Sequence, residues 1–296
     1  MSATGSAPAP DDASAPDGAS APDGASAPDS ASDAATGGER LLRDDLGAGV
    51  RLGAVRRVVS LVPSLTEAIA ESAPGLLVGA TDWCSHPAEL DVARIGGTKN
   101  PDVARIVALR PDLVVANEEE NRAVELDALR AAGVPVWVTR IRTLDEAFDS
   151  LERMLAGACG LPAQPWLAEA RRAWAGLPRP AGEPVRAVVP IWRRPWMVLG
   201  RDTFAGDLLR RLGVEQLYAD HAERYPAVPL EELRASGPEL VVLPDEPYRF
   251  TATDGPEAFP GVPAALVGGR HLTWYGPSLV TAPAVLARQL ADTVRE

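Results

Sequence analysis

Short β-branched runs alternate along this chain with stretches of helical periodicity, and that alternation restricts the fold more than any other feature of the sequence. Arg57-Val58-Val59-Ser60-Leu61-Val62 has the composition of a buried strand and ends at Pro63. Ser64 then stands where an N-cap belongs. Glu67 follows three residues on, completing a capping-box pattern, and Leu65, Ala68 and Ile69 form an apolar face. The same reading predicts strands over 76–80, 113–116, 134–139, 185–190 and 240–243. It predicts helices over 103–109, 119–132, 203–212 and 230–235. Strands that alternate with helices form parallel sheets covered on both faces.

From Leu144 to Ala175 the pattern is helical, interrupted by Gly157, Gly160, Pro162 and Pro165, and a Pro/Gly-rich joint runs from Pro178 to Pro184. The expected fold class is therefore α/β. Two Rossmann-like lobes with mostly parallel sheets, residues 39–142 and 184–296, are joined by a helical backbone segment, residues 143–183, with a ligand cleft between them. An internal echo fits this division. Pro111-Asp112-Leu113-Val114-Val115-Ala116-Asn117-Glu118-Glu119 matches Pro238-Glu239-Leu240-Val241-Val242-Leu243-Pro244-Asp245-Glu246, and the same offset pairs Val103 with Leu230 and Ile106 with Leu233. Either each lobe carries one copy of a helix, Pro-acid, strand, acidic-pair unit, or two ordinary βα units look alike by chance. Under the first reading Glu118 and Glu119 end one strand and Asp245 and Glu246 the other. Parallel sheets bind ligands outside those carboxyl ends.

The first 38 residues are of another kind. Ala-Pro-Asp-Gly-Ala-Ser runs from Ala15 to Ser20, repeats from Ala21 and decays from Ala27, and residues 1–36 contain no Leu, Ile, Val or aromatic side chain. Such a segment has too little apolar surface to offset the entropy of ordering it, so it reads as a disordered tail. It holds six Asp and no Lys or Arg, which leaves the remaining chain at −6 of the overall −12. That surface offers no basic field for nucleic acid. No apolar run reaches the roughly 18 residues of a membrane span, so no membrane insertion is expected. The start lacks a basic region followed by an apolar one, which points to a cytoplasmic protein. Cys84 and Cys159 alone do not make a disulfide framework.

With these features in view, the chain resembles the helical-backbone metal receptors, the two-lobed binding proteins for cobalamin, haem and ferric siderophores. Arg57 to Glu67 is similar to their opening strand and turn. Leu109-Arg110-Pro111-Asp112-Leu113-Val114 is similar to their Leu-x-Pro-Asp-Leu-Val element, and the likeness runs in order from about residue 55 to 290. It implies a metal-chelate ligand held between the lobes with little hinge motion, and no cofactor beyond a bound corrinoid, haem or ferric chelate. In importer-bound relatives it implies one Glu on each lobe facing an ABC permease. The matching positions are Ala104 and Glu231, so half of that docking pair is absent.

Several residue groups at predicted strand ends carry candidate chemistry, beginning with Pro63 and Ser64 at the first turn. In Asp82-Trp83-Cys84-Ser85-His86-Pro87, Cys84 and His86 are spaced to share a metal in an extended loop, or Cys84 packs and His86 hydrogen-bonds. His86 alone would suffice as an axial ligand to a chelate's metal. Gly96-Gly97-Thr98-Lys99-Asn100 precedes a helix, as an anion-binding nest with Lys99 or as a plain turn. Asn117 and Glu118 line the cleft or begin a helix, where acids favour the first turn. Trp192-Arg193-Arg194-Pro195-Trp196 is the preferred cleft marker, since Trp192, Arg193 and Trp196 suit a flat, partly anionic ligand. Glu246 and Trp274 are candidates of the same kind. No Gly-x-Ser-x-Gly or His-Glu-x-x-His is present, so a binding protein is expected. The alternatives are an enzyme using Glu118 and Asp245/Glu246 as paired carboxylates, or a cytoplasmic sensor or interaction module on the same fold.

Overall fold

The β-branched runs form the strands of two parallel sheets in the computed structural model, which describes residues 38–178 and 182–294. The repeat tail and the middle of the Pro178–Pro184 joint lie outside them. The described residues form one compact unit. The chain enters through an antiparallel hairpin, β1 (Arg40–Arg43) and β2 (Gly49–Leu52). The sequence reading missed this hairpin. Its turn is fixed by Asp44, whose Oδ1 accepts from Leu46 N at 3.0 Å and Ala48 N at 2.8 Å.

The first sheet contains β3 (Val58–Ser60), β4 (Leu77–Ala80), β5 (Ala93–Arg94), β6 (Leu113–Asn117) and β7 (Val136–Thr139). Its order is β5-β4-β3-β6-β7, and every pairing is parallel. Helices α1 (Pro63–Ser72), α2 (Val103–Ala108) and α3 (Ala123–Ala131) connect its strands. The connection to the second lobe is helical: α4 (Leu144–Glu152), a π-helical turn (Arg153–Ala158), then α5 (Pro165–Ala175). α5 touches both lobes. Trp166 donates from Nε1 to Ser72 Oγ at 3.1 Å, and Trp174 from Nε1 to Leu279 O at 3.0 Å.

In the second lobe β8 (Val185–Val188) is followed by a small hairpin, β9 (Pro190–Trp192) and β10 (Met197–Val198). Then come α6 (Phe204–Arg211), β11 (Val214–Gln216), α7 (Leu230–Ala235), β12 (Leu240–Pro244), β13 (Ala264–Val267), α8 (Gly269–Thr273), α9 (Ala282–Ala291) and β14 (Thr293–Val294). The sheet order is β11-β8-β12-β13-β14, parallel except for β14. The internal echo has a physical basis. Asp112 Oδ2 accepts from Arg56 N at 2.8 Å and Arg57 N at 2.9 Å at the start of β3. Glu239 Oε2 accepts from Arg186 N at 2.9 Å in β8. The Pro-acid unit therefore pins the strand beside it in each lobe.

Two local expectations are corrected. Helix α1 begins at Pro63 itself, which occupies the first helical turn, and its N-cap Val62 makes no side-chain cap. Proline fits there because its missing N–H would have no helical partner. Ser64 and Glu67 therefore do not form a capping box. Helix α3 starts at Ala123, because Asn117 and Asn121 fold residues 118–121 into a turn. Asn121 Oδ1 accepts from Asn117 N, and Asn117 Oδ1 from Glu119 N, both at 2.9 Å.

Candidate functional site

Segments that follow the carboxyl ends of the first sheet meet segments that follow those of the second. Behind β6, Tyr225 OH donates to Glu119 Oε2 at 2.7 Å, and Arg224 forms an ion pair with Glu119 and lies 3.9 Å from Glu118. Behind β3, Glu67 of α1 forms an ion pair with Arg270 of α8. Tyr275 is buried on the other side of this seam, and its neighbour Gly276 lies so close that a Cβ there would sit 3.1 Å from Ser64 O. Behind β4, His86 stands edge-on to Trp274, with ring centroids 5.4 Å apart. These contacts, from lobe to lobe, mark where the two strand-end faces meet.

Two acids at this seam are held above the usual carboxylate range. Burial raises Glu120, and the neighbouring Glu119 adds to the effect against Lys99. Burial also raises Glu246, opposed by the hydrogen bond it accepts from Trp274 Nε1 at 3.0 Å. Burial is the first cause of the upward shifts of Tyr225 and Tyr275, and the Glu119–Glu120 charges reinforce both.

The candidates read from the sequence divide sharply. Trp83 is 68 % exposed, and its Nε1 lies 3.6 Å from where a Cβ on Gly97 would be. Trp192 is 42 % exposed and packs edge-on against Tyr248 at 5.7 Å. His86, Lys99, Glu118 and Glu246 stand with them at the strand ends, Lys99 Nζ donating to the carbonyl of Glu119.

Four residues are spent on the protein's own framework. Asn117 is buried and donates to both oxygens of Thr139 at 3.1 Å. The Arg193 guanidinium is taken by Asp254 and Glu257. That corrects its reading as a free cation for an anionic ligand. Trp196 packs between Phe250 and Phe259, at 6.0 and 5.7 Å, with Arg193 over its ring at 5.2 Å. Cys84 is buried, its Sγ 3.0 Å from Thr66 Oγ1 and 3.1 Å from Thr81 Oγ1, and burial pushes its thiol up. Cys84 thus faces the interior while His86 faces the second lobe, so the two do not share a metal. No group of three or more His, Cys, Asp or Glu is arranged to hold a metal ion among the described residues. Pro63 opens helix α1, and Ser64 is buried in its first turn. The reading missed Glu120, Tyr225 and Arg270. Glu120 stood in the acidic run taken as the start of a helix, while Tyr225 and Arg270 carry no local signal.

Comparison with known proteins agrees with this architecture. Residues 58–257 match the family model described as periplasmic binding protein. The vitamin B12-binding protein of Pectobacterium atrosepticum is 25 % identical over 256 residues, covering 80 % of this chain and 89 % of that protein. The periplasmic vitamin B12 binding protein of Vibrio cholerae superposes with a TM-score of 0.62 at 19 % identity, covering 80 % of this chain and 97 % of the other. A periplasmic haem-binding protein from Roseiflexus gives 0.65 at 21 % identity, covering 80 % and 98 %. At those identities the structures establish the shared fold.

Proposed function

The chain belongs to the periplasmic binding protein family, and from that premise we propose that it holds a small metal chelate, a corrinoid, haem or ferric chelate, between its two lobes and catalyses no reaction on it. The observation that carries this reading is the contact of His86 with Trp274 across the cleft, with Glu246 fixed by the Trp274 indole and Trp83 exposed beside it. Flat aromatic faces with a few fixed polar groups suit a macrocycle or chelate better than a peptide or a sugar. Ser85 Oγ lies 3.1 Å from His86 Nδ1, which leaves Nε2 for an axial bond to the chelate's metal. The test is titration with cobinamide, haemin and ferric chelates, followed by tryptophan fluorescence and visible absorption. Binding weakened by W274A and W83A, with a visible band moved by H86A, supports the reading. Full affinity in folded W274A and W83A variants sinks it.

We also propose that the protein has no stable permease partner. Its support is Ala104, exposed on α2 where the family resemblance implies a glutamate, while Glu231 on α7 keeps the other. Co-purification with a membrane permease would contradict it.

A further inference from the structure

The two strand-end faces touch at three places, and the contact distances decide how a flat ligand can come to lie between them. A ring held between two surfaces keeps about 3.5–4.0 Å from each, so those surfaces must stand about 7–8 Å apart. Beyond β4 the rings of His86 and Trp274 meet edge to face, with centroids 5.4 Å apart. Beyond β3 a Cβ on Gly276 would lie 3.1 Å from Ser64 O, so backbone stands against backbone. Glu67 beside it is buried and pairs with Arg270. Beyond β6 Tyr225 OH donates to Glu119 Oε2 at 2.7 Å, and Arg224 pairs with the same carboxylate. While these contacts hold, a ring has no room at any of the three places.

The Glu119 contact comes from a strap that is braced on its own lobe. Residues 217–229, between β11 and α7, form no helix or strand. Val198 N donates to Pro226 O at 3.1 Å, and Gly200 N to Arg224 O at 2.7 Å. Asp202 adopts a left-handed backbone, with φ of 50°, and its carbonyl accepts from Arg224 Nε and Nη2 at 3.0 and 2.7 Å. Backbone bonds thus fix the strap to the second lobe, while side chains, those of Arg224 and Tyr225, carry its contact with Glu119 of the first. Such a contact can part without unravelling the strap. Resting on the metal-chelate reading above, we infer that these contacts hold the lobes closed against each other, that a chelate enters when they part, and that Glu119 with Arg224 and Tyr225 is the latch. The family resemblance implies little hinge motion, and the seam of this chain demands more. A latch competes with binding, because apparent affinity falls with the fraction of molecules that are open. Loosening it therefore speeds and tightens binding, whereas removing a ligand contact weakens it.

The test places spin labels at V124C on α3 and E232C on α7, one exposed position in each lobe, and reads the distance between them by double electron–electron resonance on the full chain. Cys84 and Cys159 are buried, so the introduced thiols take the label. The expected result is a longer distance at saturating dicyanocobinamide or haemin, and a longer distance without any chelate in Y225F and R224M. Association of the same chelates, followed by stopped-flow absorption, should be about tenfold faster in each variant, the effect of one lost hydrogen bond to a charged group. Circular dichroism establishes that the variants are folded, and Y225F, which deletes a single oxygen, is the milder of the two. A distance that saturating bound chelate leaves unchanged overturns the inference. So do folded Y225F and R224M variants with the parent's distance and the parent's association rate. In both cases the metal-chelate reading stands. Where no chelate binds the parent or the variants, that reading falls, and the distances without chelate decide the closure by themselves: longer in the variants supports it, unchanged overturns it.

Discussion

Truncating Arg270 tests whether the two lobes are held by a buried ion pair. Glu67 is 6 % exposed, its partner across the cleft is Arg270, and its second oxygen has no donor among the described residues. Removing the guanidinium leaves a carboxylate with neither water nor cation. Breaking a buried pair on one side costs about 3–5 kcal/mol. The Arg270 side chain is 30 % exposed, so water reaches part of the gap and the lower end, about 3 kcal/mol, applies. At about 2–4 °C per kcal/mol for a chain of this size, R270M should lower Tm by about 6–12 °C. Replacing both partners, E67M with R270M, removes the stranded charge and should recover most of the loss. Urea unfolding of parent, single and double variants gives the cycle. The reasoning fails if R270M costs under about 1 kcal/mol, or if the double variant is no more stable than R270M.

Three further outcomes follow from the packing. Asp207 of α6 accepts from Leu144 N at 3.0 Å and Arg211 Nε at 2.8 Å; burial opposes its ionisation, but these bonds outweigh it and hold the carboxyl below its usual value. Its contribution is therefore present above the unfolded pKa of about 3.9 and lost as pH falls through the lower folded value. D207N should be less stable at pH 7 and less pH-dependent below about pH 4, measured by thermal unfolding across pH. Gly200→Ala should destabilise by about 2 kcal/mol, because a Cβ would lie 2.2 Å from the backbone oxygen of Glu223 and 3.1 Å from that of Arg224. Both thiols should resist alkylation in the native protein, Cys159 pushed up to about 12 by burial and Cys84 raised in the same way. Rapid labelling without denaturant contradicts that.

The strands and helices of the two lobes are legible in the sequence because each is written locally. Val58 to Val62 and Leu113 to Ala116 have no reading except a buried strand. The Pro-acid pairs at Pro111 and Pro238 mark equivalent places in both lobes. What escaped is set by distant partners. Whether Glu67 caps its own helix or crosses to Arg270, and whether Arg193 awaits a ligand or binds Asp254, depends on residues 61 to 203 positions away. Trp192 and Trp196 look equivalent in the sequence. Only the hairpin of β9 and β10 sends Trp196 against Phe250 and Phe259 and leaves Trp192 exposed. The hairpin Arg40–Leu52 was missed for a similar reason, since its stability comes from Asp44 and Asp45 bonding to β7 and α4.

The most direct measurement is the structure of the protein co-crystallised with dicyanocobinamide. The account predicts the corrin between the lobes, in contact with Trp83, His86 and Trp274. A chelate bound outside the cleft, or a cleft still closed by Glu67–Arg270 and Glu119–Tyr225 with none inside at saturating ligand, would contradict it.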